Sequence, residues 1–453
     1  MKSINPADGK LIKQYDKMTS DDVFRIIESC QRAYYEWRKT NFSSRALLMK
    51  KVAGVLRNNL DSYAILITME MGKPITQSRA EIEKCALVCE YYSENAEEFL
   101  LDKIIKTDNK KSYVRFDPIG IVFAVMPWNF PFWQVFRFAV PALMAGNVAV
   151  LKHANNVSGC ALAIEEVFKE SGFPLNSFRT LLIDKKQTAD VIANKNVSAV
   201  TLTGSVAAGR EVAKQAGLYI KKTLLELGGS DPYIVLKDAD LDKAAEICVK
   251  SRMINNGQSC IAAKRFIVEE AVKNEFIEKL LIHIGSYKTG DPLLEETNLG
   301  PMASMWHRET LIKQVAESIE KGAKCIVGGV VPDCEGAYYP ATILTNISES
   351  MPAYNDELFG PVAAIISAID EDDAIRISND SIFGLGGAIF SKDIEKAESL
   401  AARMDVGNVS INDFVRSDPR LPFGGVKQSG YGRELSQFGT YEFVNIKTVV
   451  VSN

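Results

Sequence analysis

From Ser20 to about Leu101 the apolar residues recur at helical spacing, broken at Gly72-Lys73-Pro74, and this predicts several helices. The pattern changes at Lys103. From there to Pro118 the chain is polar and β-tending around Asp108-Asn109, which predicts a hairpin standing off the body. Between Ile119 and Gly229 short β runs alternate with helical ones: IGIVFAV (119–125), VAVLK (148–152), FRTLLI (178–183), VSAVTLTG (197–204) and KKTLLEL (221–227). Such alternation predicts parallel strands joined by crossover helices, a doubly wound α/β fold. A second α/β series begins at PYIVL (232–236), with a helix capped at Asp240. It continues through RFIVEE, CIVGG and VAAIISA to about Ser410. After Leu421 come a Gly-rich loop, FGGVKQSGYG, and an apolar β run, NIKTVVV. The edge of that run needs a partner, which the hairpin of the same or another subunit would supply.

Composition agrees with two lobes, since 453 residues of which 47% are hydrophobic exceed what one compact core holds. A net charge of −4 with no long basic run argues against nucleic-acid and anionic-membrane partners and leaves small soluble ligands. The opening MKSINPADGK has no apolar stretch, so the expected location is cytoplasmic, where the eight cysteines stay reduced. Cys85 and Cys89 sit four apart on a helical pattern without a nearby histidine, and no metal site is expected.

One cysteine stands apart. Cys260, in NNGQSCIAAKR (255–265), lies among small and polar residues in a stretch that fits neither a core strand nor an amphipathic helix. A catalytic thiol needs small neighbours, free backbone N–H groups and a base. The same window also suits an ordinary half-buried loop cysteine. For the base, His153, His283 and His307 lack a protease-like setting, whereas Glu226 ends an apolar β run where burial would raise its pKa. A carboxylate at an exposed strand end is the other reading. Asn129, in MPWNFPFWQ (126–134), follows a strand and precedes a helix, where its amide could donate to an oxyanion; an aromatic-rich turn would look alike. The GxxxxG of Gly204 to Gly209 opens a helix but departs from the usual dinucleotide fingerprint.

Taken together, Cys260 in GQSC, Glu226 in ELGG, Asn129 in PWNFP, Lys152 in LKHAN, TGS at 203–205, ELFGPV at 357–362 and PFGGVKQSG at 422–430 resemble the aldehyde dehydrogenase superfamily in order and spacing. ELGGSDP, PFWQVFR and LKHAN are most similar to its short bacterial succinate-semialdehyde dehydrogenase branch. The resemblance implies a dinucleotide-binding domain over 1–102 and 119–229, a catalytic domain over 230–420, and an oligomerisation hairpin and C-terminal strand at 103–118 and 421–453. It also implies a homodimer or homotetramer.

For chemistry, the resemblance implies that Cys260 adds to an aldehyde, Asn129 and the Cys260 N–H hold the oxyanion, and Glu226 activates the water that hydrolyses the thioester. Cofactor contacts would come from Trp128, Lys152, Asn155, Gly204, Ser205, Gly228, Glu357 and Phe359. NAD-preferring relatives place a glutamate three residues after the lysine. Asn155 at that position does not repel a 2′-phosphate, so NADP is slightly favoured and NAD stays open. Substrate contacts would be Arg137 and Trp133, on one helical face with Asn129, and Ser417 and Arg420 in the loop before the Gly-rich segment; a surface or interdomain salt bridge is the other reading of Arg137. A second substrate arginine of longer relatives is replaced here by Ile254. Three alternatives remain open: a dehydrogenase for another small aliphatic aldehyde, a cysteine hydrolase or acyltransferase, and a binding protein that keeps the fold. A CoA-acylating enzyme is disfavoured by the presence of Glu226.

Overall fold

In a computed structural model, which describes residues 1–452, the first α/β series forms a six-stranded sheet. Its order is Gly430–Tyr431, Lys222–Glu226, Val197–Thr203, Ile121–Met126, Val148–His153 and Phe178–Thr180, all parallel except the first. Chain order reverses between Ile121–Met126 and Val197–Thr203, the strands that flank the switch point of a doubly wound sheet. Nearly every residue of Ile121–Met126 and Val148–His153 is buried, because helices cover both faces. The helices Ser20–Trp37, Phe42–Asn58, Leu60–Met71 and Ile75–Phe99 contribute to this core.

The second series builds a seven-stranded sheet in the order Lys324–Val327, Thr342–Thr345, Val362–Ala368, Ala263–Glu269, Asp231–Val235, Gly386–Phe390 and Asn408–Ile411. Only the Lys324–Val327 pairing is antiparallel. The helix Leu241–Met253 starts at the expected cap, with the Asp240 carboxylate accepting from Lys243 N–H.

The hairpin is present as Lys103–Ile105 and Lys111–Pro118, and Val444–Val451 pairs antiparallel with Lys111–Pro118 of the same chain. Residues 421–443 do not join this sheet, which corrects the boundary placed at 421. Gly430–Tyr431 extends the first sheet, Val426–Lys427 pairs with Phe383–Gly384, and Phe423, Leu435 and Phe443 enter the first lobe's core. The physical reason is close approach: a Cβ at Gly430 would lie 1.9 Å from Leu225 O, so glycine lets the tail lie against the strand that ends at Glu226.

Candidate active site

Cys260 sits at the end of a loop whose backbone is unusual. Asn255, Asn256 and Gly257 all have positive φ, at 54°, 56° and 76°. Asparagine tolerates this region, and its side chains then fix the loop. Asn255 Nδ2 donates to Asn129 O at 2.7 Å and Gln258 O at 3.0 Å, and Asn256 Nδ2 donates to Gly72 O and Pro301 O. Gly257 has no substitute, since a Cβ would lie 2.2 Å from the Gly360 carbonyl carbon. Burial pushes the Cys260 thiol up to about 12. Arg137 and Lys264 pull against that rise, and Glu357 and Glu226 add to it.

Two cavities meet at Cys260. The first opens at the switch point, lined by Trp128 and Asn129 after one strand and by Gly204 and Ser205 after the other. Ser205 caps the helix Val206–Leu218, its Oγ accepting from Ala208 N–H at 3.3 Å. Gly228, Glu357 and Phe359 complete the wall. Glu357 accepts from Gly229 N–H at 3.0 Å and pairs with the buried Lys264 at 3.4 Å. Lys152 is half-buried at the end of the neighbouring strand and Asn155 is exposed three residues on; neither lines this cavity, whose wall lies one strand away. Burial, then the nearby charge of Lys185, holds Lys152 below the usual lysine range.

The second cavity is lined by Trp133, Arg137, Ile254 and Ser417. Asn129 does not share their face. The helix begins only at Trp133, because the Glu81 carboxylate takes the N–H groups of Phe132 and Trp133, so Asn129 precedes it and faces the other cavity. Arg137 reaches this wall but is held in a buried ion pair with Glu434, and its Nη2 lies 3.5 Å from Thr203 Oγ1. Arg420 is corrected outright. Its guanidinium is 75% exposed, paired twice with Asp418, and does not line the cavity, because two residues away lies an acid of matching reach.

The groups expected to act on the carbonyl lie around this junction. Asn129 is 4% exposed, and one hydrogen of its amide goes to Gln258 O at 3.1 Å, leaving the second unbonded. The Cys260 N–H has no acceptor among the described residues. Glu226 ends its strand buried and lines neither cavity; its Oε1 has no hydrogen-bond partner among the described residues. Burial holds its carboxyl well above the usual range, reinforced by Glu434 and opposed by Arg137 and Arg433.

Sequence reasoning missed several wall residues. Gln134 lines both cavities, and Trp306, His307 and Gln314 line the first. Gln134 lies on the helix Trp133–Met144, and the other three on the helix Met305–Glu320, which the Ser304 side chain caps. The His307 ring lies 4.4 Å from that of Trp128, tilted at 56°, and burial lowers its pKa to about 4.

The Cys260 thiol thus sits on a doubly wound α/β fold where a switch-point cavity meets a second, partly cationic cavity, an arrangement suited to a small-molecule enzyme. The chain belongs to the aldehyde dehydrogenase family, whose sequence profile matches residues 1–449. It is 47% identical over 450 residues to a "Probable succinate-semialdehyde dehydrogenase [NADP(+)]" of Synechocystis sp., covering 99% of each chain. It is 44% identical over 447 residues to the "Succinate semialdehyde dehydrogenase [NAD(P)+] Sad" of Escherichia coli, covering 99% of this chain and 97% of that one. Among solved structures it resembles succinic semialdehyde dehydrogenase from Streptococcus pyogenes in complex with NADP+, at a TM-score of 0.98 and 38% identity, with full coverage of both chains.

Proposed function

We propose that this chain oxidises succinate semialdehyde to succinate with NADP or NAD, and that Cys260, Asn129 and Glu226 carry the chemistry. The observation that carries this reading is the position of Cys260, reached from one cavity at the switch point and from another with cations at its wall. The names of relatives at 47% and 44% identity support the substrate and the cofactor.

The first cavity fits a dinucleotide by its donor set. With Ser205 taking Ala208 N–H, the N–H groups of Val206 and Ala207 at the same helix end have no intrahelical acceptor and suit a pyrophosphate. A Cβ at Gly228 would lie 2.5 Å from Glu357 Oε2, so glycine leaves that carboxylate in place for ribose hydroxyls. Trp128 and Phe359, edge to face at 5.8 Å, form an apolar wall. Lys152 and Asn155 would face the adenosine ribose, where a cation without a neighbouring carboxylate favours a 2′-phosphate.

When bound, the dinucleotide supplies the acceptor for the aldehyde's hydride. The chain's own residues do the rest. Cys260 gives its proton to water in the cavity and its sulfur adds to the carbonyl carbon, the C=O electron pair moving to oxygen. The oxygen, gaining negative charge, meets the free Asn129 amide hydrogen and the Cys260 N–H, donors that need no reorganisation. Once the adduct's hydride has gone to that acceptor, the carbon is left as a thioester, and water activated by Glu226, made more basic by burial, cleaves it to the carboxylic acid and the free Cys260 thiol. Because Glu226 lines neither cavity, its side chain must swing toward Cys260 for that step.

One observation favours a second reading, a neutral aliphatic aldehyde: Arg137 is already committed to Glu434. The test is absorbance of reduced nicotinamide with succinate semialdehyde and with butanal, using NAD and NADP in parallel. Strong preference for the semialdehyde supports the first reading and equal rates the second. No reduction with either removes the dehydrogenase assignment. No helix among the described residues is long and apolar enough to cross a membrane, and a cytoplasmic enzyme is the accompanying proposal. Exposed Ile104, Ile105, Ile446 and Val450 on the three-stranded sheet support a homo-oligomer, which light scattering showing a monomer would remove.

A further inference from the structure

If the substrate carries a carboxylate, the second cavity needs a cation with no acid of its own. Arg137 is held by Glu434, Arg416 by Asp413, and Arg420 by Asp418 at the surface. Position 254 is isoleucine. One cation on this wall differs from all three. Lys84, on the helix Ile75–Phe99, donates from Nζ to Ser417 Oγ at 2.7 Å and lies 4.2 Å from the centroid of the Trp133 ring. Both partners are neutral. The acids closest to it electrostatically are engaged elsewhere: Glu81 with Lys73 and the helix N–H groups, Asp418 with Arg420.

An ammonium withdrawn from water needs an anion or several strong acceptors. Half-buried Lys84 has one hydroxyl and one π face among the described residues. Burial, followed by the charge of Arg137, lowers it to about 8, as expected of a cation whose counter-charge is missing. Its surroundings are otherwise those of a small-molecule site: Trp133 and Ile254 for methylenes, and Cys260 on the same cavity wall.

We infer that Lys84 and Ser417 together form the carboxylate-recognition pair of the substrate cavity, the ammonium and hydroxyl binding the distal carboxylate of a short ω-carboxy aldehyde. This rests on the proposed function. Arg137 then acts through its field, and Lys84 replaces the arginine that position 254 lacks. The Ser417 hydroxyl, now an acceptor from Lys84, has its own hydrogen for a carboxylate oxygen.

The test compares kcat/KM for succinate semialdehyde and butanal in the unsubstituted enzyme, Lys84→Gln and Lys84→Arg. A charged hydrogen bond lost from a binding site predicts a fall of about 10- to 100-fold on the semialdehyde for Lys84→Gln, mainly in KM, with butanal within about twofold. Lys84→Arg should keep most of the preference. Butanal turnover also reports folding. An equal loss on both aldehydes, or an unchanged preference, overturns the inference alone. If the unsubstituted enzyme already treats the aldehydes alike, the substrate reading fails and the inference goes with it.

A second measurement needs no variant. The ratio of kcat/KM for the two aldehydes should fall as pH rises through about 8, where Lys84 loses its proton in the free enzyme. The groups facing it are Glu81 and Cys85 on its own helix, Arg137 on the helix Trp133–Met144, and Asp418 in the loop that carries Ser417. Asp418, lowered to about 2, stays ionised throughout, and burial keeps the Cys85 thiol protonated. Titration of Cys260 affects both aldehydes and cancels in the ratio. A ratio constant from pH 7 to about 9.5 overturns the inference.

Discussion

Replacing Glu434 with glutamine should lower the pH at which Glu226 becomes an active base while weakening the fold. Arg137 and Glu434 are each 2% exposed and form one ion pair, between the helix Trp133–Met144 and the tail. Removing one partner of such a pair leaves a buried charge uncompensated, at a cost of about 3–5 kcal/mol. Glutamine retains a carbonyl for the guanidinium, so the lower end, about 3 kcal/mol, is expected. Thermal melting should show it as a drop of several degrees.

The same change acts on catalysis with a definite sign. Glu226 is raised first by burial and next by the negative charge of Glu434, with Arg137 and Arg433 opposing. Neutralising position 434 removes the like charge and leaves both arginines, so the Glu226 carboxylate is favoured and its pKa falls. A base works only when ionised, so the acid limb of the rate moves to lower pH. The assay is the pH dependence of steady turnover after a burst of reduced nicotinamide, when thioester hydrolysis limits the rate. A limb that stays put or moves upward would refute the electrostatic coupling, and an unchanged melting temperature would refute the buried pair.

Three further outcomes follow from the same geometry. Cys260→Ser should reduce aldehyde oxidation at least about 1,000-fold while leaving dinucleotide binding, followed by quenching of tryptophan fluorescence, within about twofold. Gly257→Ala combines a left-handed backbone, costing about 1–2 kcal/mol, with a 2.2 Å clash against Gly360, about 1–3 kcal/mol more; melting should fall and the alkylation rate of Cys260 should change. Asn155→Glu should raise KM for NADP at least about tenfold with little effect on NAD, because a carboxylate repels the 2′-phosphate and chelates a free ribose. Equal effects on both dinucleotides would show that residue 155 does not meet the adenosine ribose.

How much of this was legible follows from the range of the interactions. The strand Val362–Ala368 matches its apolar run residue for residue, and the helix after Asp240 starts at its cap, because burial pattern and capping are written within a few neighbouring residues. Cys260, Asn129, Gly204 and Ser205 were legible as motifs, and the structure brings them to one cavity. The environment that tunes them was not. Arg137 looked like a free substrate cation because nothing near it in sequence carries its partner, and Glu434 arrives only when the tail folds back. Nothing in the residues around Lys84 marks it, since its setting depends on Ser417 and Trp133, contributed by two distant segments. Arg420 failed for the opposite reason, since its partner Asp418 lies two residues away and claims it at the surface.

The long-range cause behind Arg137 also bears on the tail. The run after Leu421 looked like an assembly element because its final strand needed an edge, yet only Val444–Val451 serves that sheet. The segment before it supplies Phe423 to the wall of the second cavity and Glu434 to Arg137, and Gly424 allows the approach of Glu226, whose Oε1 a Cβ there would meet at 2.8 Å. Each contact sets a property of the reacting groups: cavity shape, the charge left on Arg137, and the pKa of Glu226. Residues 421–443 therefore belong electrostatically to the proposed active site. The pairing of Gly430–Tyr431 with Lys222–Glu226 holds them in register with the strand that ends at Glu226 itself.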